Sequence, residues 1–197
     1  MPTLIVLAMH GVPPNDFPGR ELGEYFHLHS AVEAAQHSSH HQGNGHGQHN
    51  GHGKPALSEE EWIRYHDLEG RIRDWPRTEA NDPFYAGSLA LAKALEKECG
   101  QRVLVGFNEF CAPSLEEAFQ EAAEARARRV LVITPMMTSG GSHAEKDIPV
   151  AIRAAGESHP EIEFIYAWPF GKREVAGFLA AQVTRYLSGK LEPIGWR

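Results

Sequence analysis

The chain has 197 residues, of which 42% are hydrophobic and 23% charged, and its formal net charge at pH 7 is −7. This size and composition are typical of one globular domain, or of one domain with a large insertion. The negative charge argues against nucleic acid as a partner, because phosphate binding needs a basic surface. The only basic cluster is short and is formed by Arg126, Arg128 and Arg129. No apolar run approaches the ~20 residues that span a bilayer, so we expect neither nucleic acid nor a membrane as a partner.

Two features indicate a cytoplasmic protein. Residues 1–8 are apolar but lack a basic segment and a small-residue cleavage site, so they predict a first strand and not a signal peptide. Cys99 and Cys111 are too few for a disulfide framework, which favours a reducing compartment. Cys111 could be a soft metal ligand, but we favour a reduced, buried thiol.

Four apolar runs, at residues 4–9, 102–107, 130–134 and 162–168, predict strands. The first is continuously apolar, as expected of a central strand that is covered on both faces. Helical patterns separate the later strands, including a capping box at Ser114 and Glu117, and an amphipathic stripe over 175–187 predicts a closing helix. Pro149 should kink the helix predicted over 144–155 or delay its start. This alternation predicts an α/β fold, with a parallel sheet of about four strands and flanking helices.

The stretch between the first two strands is too long for a single crossover. We predict an insertion at about 20–82 within a single domain of residues 1–197. The pattern of Tyr25 to Ala35 predicts a helix, and Ser58 with Glu61 forms a second capping box. Between them, residues 37–53 contain no apolar side chain, so we expect a mobile loop. Residues 84–99 then form a helix before the second strand.

Three of the predicted strands are followed by residues that bind metals or move protons: His10, Glu109 and His143. Ligands of open parallel sheets bind beyond the carboxyl ends of the strands. Two imidazoles and a carboxylate there can hold a divalent first-row metal and leave positions open for exchange. A single histidine at a strand end is more often structural, so this prediction depends on the order of the strands.

Three segments resemble the CbiX-type sirohydrochlorin cobaltochelatases, which are class II tetrapyrrole chelatases. They are His10-Gly11 after the first strand, residues 107–118 and residues 140–149. The last segment is the most specific, because a histidine followed four residues later by Asp-Ile-Pro is uncommon. The resemblance covers residues 1–12 and about 100–190.

The resemblance implies a lyase of cobalamin and other tetrapyrrole (porphyrin) biosynthesis. It would insert Co²⁺, or Ni²⁺ or Fe²⁺ as in relatives, into sirohydrochlorin or a related tetrapyrrole without ATP. No cofactor would be bound permanently, since the divalent metal is a substrate. By the resemblance, His10 and His143 contact the metal and Glu109 helps to take the pyrrole protons, roles that suit imidazole and carboxylate. A chelatase of haem synthesis is an alternative, but the string around His143 fits the sirohydrochlorin branch better.

A wide, flat tetrapyrrole needs two walls, and one small sheet supplies only one. We therefore expect a homodimer, with a monomer whose insertion forms a lid through Trp62, Tyr65 and Trp75 as the alternative. Candidate pocket residues are Ser139, Gly140, Gly141, Ser142 and Phe170. The first four could hold a substrate carboxylate through backbone N–H groups or form a flexible turn. Phe170 could stack on the macrocycle or belong to the core.

The predicted mobile loop is rich in histidine: His37, His40, His41, His46, His49 and His52. Glycine gives its backbone the freedom to fold imidazoles round one ion. We expect accessory binding of Ni²⁺, Co²⁺, Zn²⁺ or Cu²⁺ in the usual affinity order and without designed selectivity. A linker that binds metal incidentally remains open, as does a metal store or chaperone built on a chelatase-like lobe. A complete trio of His10, Glu109 and His143 favours the enzyme, because storage needs only the loop.

Overall fold

The computed structural model describes residues 2–39 and 57–190. The elements in chain order are β1 (Thr3–Met9), α1 (Gly19–Ser39), α2 (Glu59–Arg73), α3 (Pro83–Cys99), β2 (Val103–Phe107), α4 (Leu115–Glu124), β3 (Arg129–Ile133), a π-helical turn (His143–Asp147), α5 (Ile148–Ser158), β4 (Glu163–Tyr166) and α6 (Lys172–Leu187). All four strands are parallel, in the order β2-β1-β3-β4. The predicted α/β fold with a four-stranded parallel sheet and flanking helices is therefore confirmed.

Strand β1 is the centre of the sheet, as its continuous apolarity predicts. Leu4, Val6 and Ala8 belong to the core that α4 and α5 cover. Leu7 and Met9 belong to the core on the opposite face, which includes Ala92 of α3. Because alternate side chains of a strand point to opposite faces, β1 is buried on both sides.

Helices α1 and α2 form a pair with a hydrophobic core of their own between β1 and α3. Its buried members are Phe17, Tyr25, Leu28, Val32, Tyr65, Leu68 and Ile72. The capping box at Ser58 and Glu61 starts α2 as predicted. Helix α1 is longer than the predicted 25–35, so residues 37–39 are helical where we expected loop. The remaining predicted loop, 40–53, lies outside the described residues, and with it five of the six accessory histidines.

Two local sequence features determine where helices α4 and α5 begin. Ser114 and Glu117 form the predicted capping box of α4. Pro149 stands in the first turn of α5, which begins only at Ile148, so the helix is delayed as predicted. The five residues before it form the π-helical turn, which begins at His143.

Helix α6 lies apart from all three of these cores, and none of its residues is buried. Its amphipathic stripe faces solvent: Phe178, Leu179, Val183, Tyr186 and Leu187 are each more than half exposed. The sequence pattern predicts this helix correctly, but nothing in the described part of the chain covers its apolar face. Among the described residues, no helix is long and apolar enough to cross a membrane.

Candidate functional site

The strand order brings the three predicted site residues together. Because β1 lies between β2 and β3, the carboxyl ends of these strands are neighbours at a point where the chain direction across the sheet reverses. His10 follows β1, Glu109 follows β2, and His143 opens the turn after β3. One possible ligand atom from each residue lies within 4.8 Å of those of the other two. Within the described ranges, no other group of three His, Cys, Asp or Glu residues meets this criterion.

Glu109 stands between the two imidazoles. Its Oε1 lies 2.7 Å from Nδ1 of His10 and 3.5 Å from Nε2 of His143. The His10 and His143 rings are 4.7 Å apart, centroid to centroid. Nδ1 of His10 is buried, and the partner that it contacts is the Glu109 carboxylate. A divalent ion could be bound by this nitrogen and the carboxylate together.

His143 is oriented by two side chains that the sequence analysis missed. Its Nδ1 lies 2.7 Å from Oδ2 of Asp147 and 2.7 Å from Nδ2 of Asn108. We assign the proton to Nδ1 because the Asp147 carboxylate accepts from it. An Nδ1–H cannot accept from an amide nitrogen, so we assign the Asn108 amide with its oxygen toward His143. Nε2 is then the unprotonated nitrogen, on the Glu109 side of the ring. The four-residue spacing of His143 and Asp147 is the signal that could have predicted this contact.

Gly11 allows the loops after β1 and β2 to approach each other. Its φ is +114°, a conformation that L-residues with a side chain rarely adopt. A Cβ at this position would lie 1.9 Å from the carbonyl oxygen of Glu109. The absence of a side chain at residue 11 therefore sets how closely His10 and Glu109 can come together.

Arg77 ties the insertion to the site loops. Its guanidinium is almost completely buried and pairs with the fully buried Asp82. It also donates hydrogen bonds to the carbonyl oxygens of Val12, Ile72 and Phe110. Val12 and Phe110 lie within two residues of His10 and Glu109. One buried side chain thus links both loops to the end of α2.

A cavity of about 500 Å³ opens beside Glu109 and His143. The site side of its wall includes Asn108, Phe110, Ser114 and Asp147, and helices α1 and α2 supply the opposite side. The lid residue Tyr65 lines this cavity, whereas Trp75 packs on Phe17, 4.9 Å between ring centroids. Helices α1 and α2 therefore give this cavity a second side from within the chain.

The other candidate pocket residues do not line this cavity. Ser139, Gly140, Gly141 and Ser142 lie in an exposed loop, in which Gly140 N–H donates to Oε1 of Glu145. Phe170 follows β4 and does not belong to the cavity lining. Their role in substrate binding stays a prediction that the cavity does not support.

Cys111 is buried as predicted, although it lies in the cavity wall. Burial raises the pKa of its thiol, so the neutral thiol is favoured over the thiolate. Since the thiolate is the form that binds metal, Cys111 is poorly suited to be a ligand.

The fold and site are those of a parallel α/β protein with two histidines and a glutamate at adjacent strand ends, a set of side chains able to bind a divalent metal. The model of the CbiX family matches residues 80–186, more than half of the chain. The chain therefore belongs to the CbiX family.

Two relatives support this assignment over shorter stretches. The chain is 34% identical over 70 residues to the sirohydrochlorin ferrochelatase of Priestia megaterium, a match that covers 36% of this chain and 26% of that protein. It is 39% identical over 49 residues to the sirohydrochlorin cobaltochelatase of Methanopyrus kandleri, covering 25% and 34% respectively. The matches thus span about a quarter to a third of the relatives' lengths.

A solved structure shares the fold across nearly the whole chain. It is that of a protein assigned to cobalamin (vitamin B12) biosynthesis as CbiX, from Marinobacter aquaeolei VT8. The two agree with a TM-score of 0.51 at 14% sequence identity, over 96% of this chain and 100% of that one.

Proposed function

We propose that this protein is an ATP-independent metallochelatase that inserts a divalent metal into sirohydrochlorin or a related tetrapyrrole. The observation that carries the proposal is the convergence of His10, Glu109 and His143 at one edge of the sheet. We expect Co²⁺ as the metal, with Fe²⁺ and Ni²⁺ as the other candidates. The two curated relatives are named for iron and for cobalt, so the family alone does not select between them.

The chemistry follows from the residue types. Metal insertion replaces two pyrrole protons with one M²⁺, so the site must hold the ion and remove two protons. Nδ1 of His10 and Nε2 of His143 supply neutral nitrogen ligands, and three protein groups leave positions open for the pyrrole nitrogens. Glu109 lies between the imidazoles and can accept one pyrrole proton, and an imidazole that the ion has left can accept the other. Side-chain exposures of 42% for His10 and 29% for His143 give the ion and the released protons access to solvent.

The test is an anaerobic absorbance assay of sirohydrochlorin with Co²⁺, Fe²⁺ and Ni²⁺ in parallel. We expect insertion above the spontaneous rate with at least one metal. No acceleration with any metal would refute the chelatase function. The remaining hypothesis would be a metal-storage or chaperone protein that binds metal through the histidine-rich loop.

Site variants then assign the roles. His143→Ala and His10→Ala should each abolish most insertion while the far-UV circular dichroism stays unchanged. Glu109→Gln should slow turnover more than it weakens metal binding, because the amide cannot accept the proton. His159→Ala is the matched control, since His159 is similarly exposed at 21% but lies at the end of α5, outside the site. Near-normal turnover of folded His143→Ala would remove our main assignment.

A cytoplasmic location and a homodimer remain part of the proposal. We expected a second subunit because one small sheet offers only one wall to a flat tetrapyrrole. Helices α1 and α2 could supply the other wall from the same chain. The exposed apolar stripe of α6 gives a different reason to expect one, because contiguous apolar surface of this kind marks interaction sites.

A further inference from the structure

The cavity beside the metal site has one wall that the family match does not include. Helices α1 and α2 lie between β1 and residue 80, where the match begins. They contribute Tyr25, His29, Tyr65, His66 and Arg73 to the cavity lining. A volume of about 500 Å³ is within the range of pockets that bind organic ligands. This wall of the cavity therefore lies outside the segment that the family model matches.

The inner layer of that wall is built from stacked rings. The Tyr25 and Tyr65 rings lie 5.5 Å apart with an interplanar angle of 11°, and His29 stacks on Tyr25 at 5.5 Å and 17°. The Tyr65 hydroxyl lies 3.1 Å from Nδ1 of His29 and donates to Oε1 of Glu69 at 3.3 Å. Burial raises the pKa of both tyrosines, so the phenols stay neutral. This packed layer joins α1 to α2.

Charge is distributed unevenly over the cavity. Glu69, Glu109 and Asp147 are acidic, whereas Arg73 is the only lysine or arginine among the described residues that line it. The proposed substrate carries many carboxylates, which a protein of net charge −7 repels in general. A permanent positive charge in the lining would attract such a ligand, and guanidinium matches carboxylate in shape.

Arg73 is held in place by the first turn of α4. It donates to Oε1 of Glu117, the residue that also completes the capping box of Ser114. Its Nη1 lies 3.6 Å from Oδ1 of Asp74. The guanidinium has five donors in a planar fork, so these two carboxylates do not exhaust its capacity.

We propose that α1 and α2 form the substrate-binding wall of the site and that Arg73 binds a peripheral carboxylate of the tetrapyrrole. The identity of the ligand rests on the proposed function, but the test below measures binding without turnover. Arg73 is a specificity residue and not a catalytic one. The carboxylate that it binds is at the periphery of the ligand and is distant from the pyrrole nitrogens that react.

The test is fluorescence titration of metal-free sirohydrochlorin into the whole protein. Loss of one charge-assisted hydrogen bond predicts that Arg73→Gln weakens binding by about ten- to hundred-fold. In turnover, Arg73→Gln should raise the KM for tetrapyrrole and leave kcat within about two-fold. Arg102→Gln is the matched control, since Arg102 pairs with Glu121 on the surface at the opposite end of β2.

Glu117→Gln separates substrate binding from a structural role of the ion pair. Glutamine can keep the capping box, while the competing charge beside Arg73 is removed. If Arg73 binds substrate, Glu117→Gln should bind sirohydrochlorin as tightly as the unaltered protein or more tightly. If Arg73 acts only through Glu117, both variants should lose the same affinity, and the proposal is overturned.

The outcomes also separate this inference from the proposed function. Unchanged affinity of Arg73→Gln in a protein that inserts metal would refute the anchor and leave the chelatase intact. Weakened binding by Arg73→Gln in a protein that inserts no metal would support the anchor and refute the chelatase.

Discussion

We expect the buried ion pair of Arg77 and Asp82 to contribute more to the free energy of unfolding than any other polar contact of the described residues outside the candidate site. Arg77→Met keeps the length of the side chain but leaves the Asp82 carboxylate fully buried and unpaired. Breaking a buried pair in this way costs about 3–5 kcal/mol. The carbonyl oxygens of Val12, Ile72 and Phe110 lose a donor as well. These losses share one side chain and are not additive, so we expect about 3–5 kcal/mol in total.

Urea unfolding followed by circular dichroism measures this loss through the midpoint and the m-value. For a chain of this size the loss corresponds to a fall in Tm of roughly 6–20 °C. Arg102→Met is the control, because the exposed pair of Arg102 and Glu121 should contribute less than about 1 kcal/mol.

A double variant tests whether the unpaired Asp82 carboxylate causes the loss of stability. Asp82 is the N-cap of α3 and accepts from the N–H of Tyr85, and asparagine caps equally well. Asp82→Asn added to Arg77→Met should therefore recover much of the lost stability, because the buried charge is gone while the cap remains. Our reasoning is wrong if Arg77→Met costs less than about 1 kcal/mol, or if the double variant is no more stable than the single one.

The other predictions concern the loop, the thiols and the assembly. Deleting residues 37–53 should leave kcat at saturating metal nearly unchanged and raise the metal concentration needed, since the loop acts through effective concentration; identical metal dependence would show that it is incidental. Metal binding by the loop should weaken below about pH 6, as imidazoles protonate near their reference pKa of ~6.5. Iodoacetamide at pH 8 should modify the exposed Cys99 and spare Cys111, whose pKa is raised by burial; mass spectrometry that finds Cys111 alkylated in folded protein would contradict the burial. Light scattering on a sizing column should report a homodimer, and a fully active species at 21.8 kDa would exclude it.

The sequence predicts the parallel sheet and the proximity of the three residues at its edge for the same reason. Continuous apolar strands can be recognised one by one, and parallel strands put their carboxyl ends at one edge. His10, Glu109 and His143 could therefore be placed together without any knowledge of loop conformation. The capping boxes at Ser58 and Ser114 are equally local and were also found.

The residues that position the site could not be predicted in this way. Arg77 contacts Val12 and Phe110, which lie 65 and 33 residues away in the chain. Arg73 meets Glu117 across 44 residues. Such contacts depend on where the insertion packs on the rest of the domain. Hydrophobic periodicity and capping boxes predict the helices of the insertion but not their position. The periodicity of α6 likewise predicts a helix but does not reveal that its apolar stripe stays uncovered.

The central position of β1 has a consequence for how the protein is made. β1 pairs with β2 and β3 through residues about 100 or more positions further along the chain, such as Ile5 with Val103 and Thr3 with Arg129. At a synthesis rate of about 5–20 residues per second, this apolar strand waits on the order of 5–20 s before its first neighbour has been made. Contacts so distant in sequence also slow folding once the chain is complete. Helices α1 and α2 are synthesised in that interval, but the cluster between them also packs against Phe110, which follows β2. Until β2 has been made, β1 is an unpaired apolar segment, and exposed apolar surface and unpaired strand edges make a folding intermediate prone to aggregation.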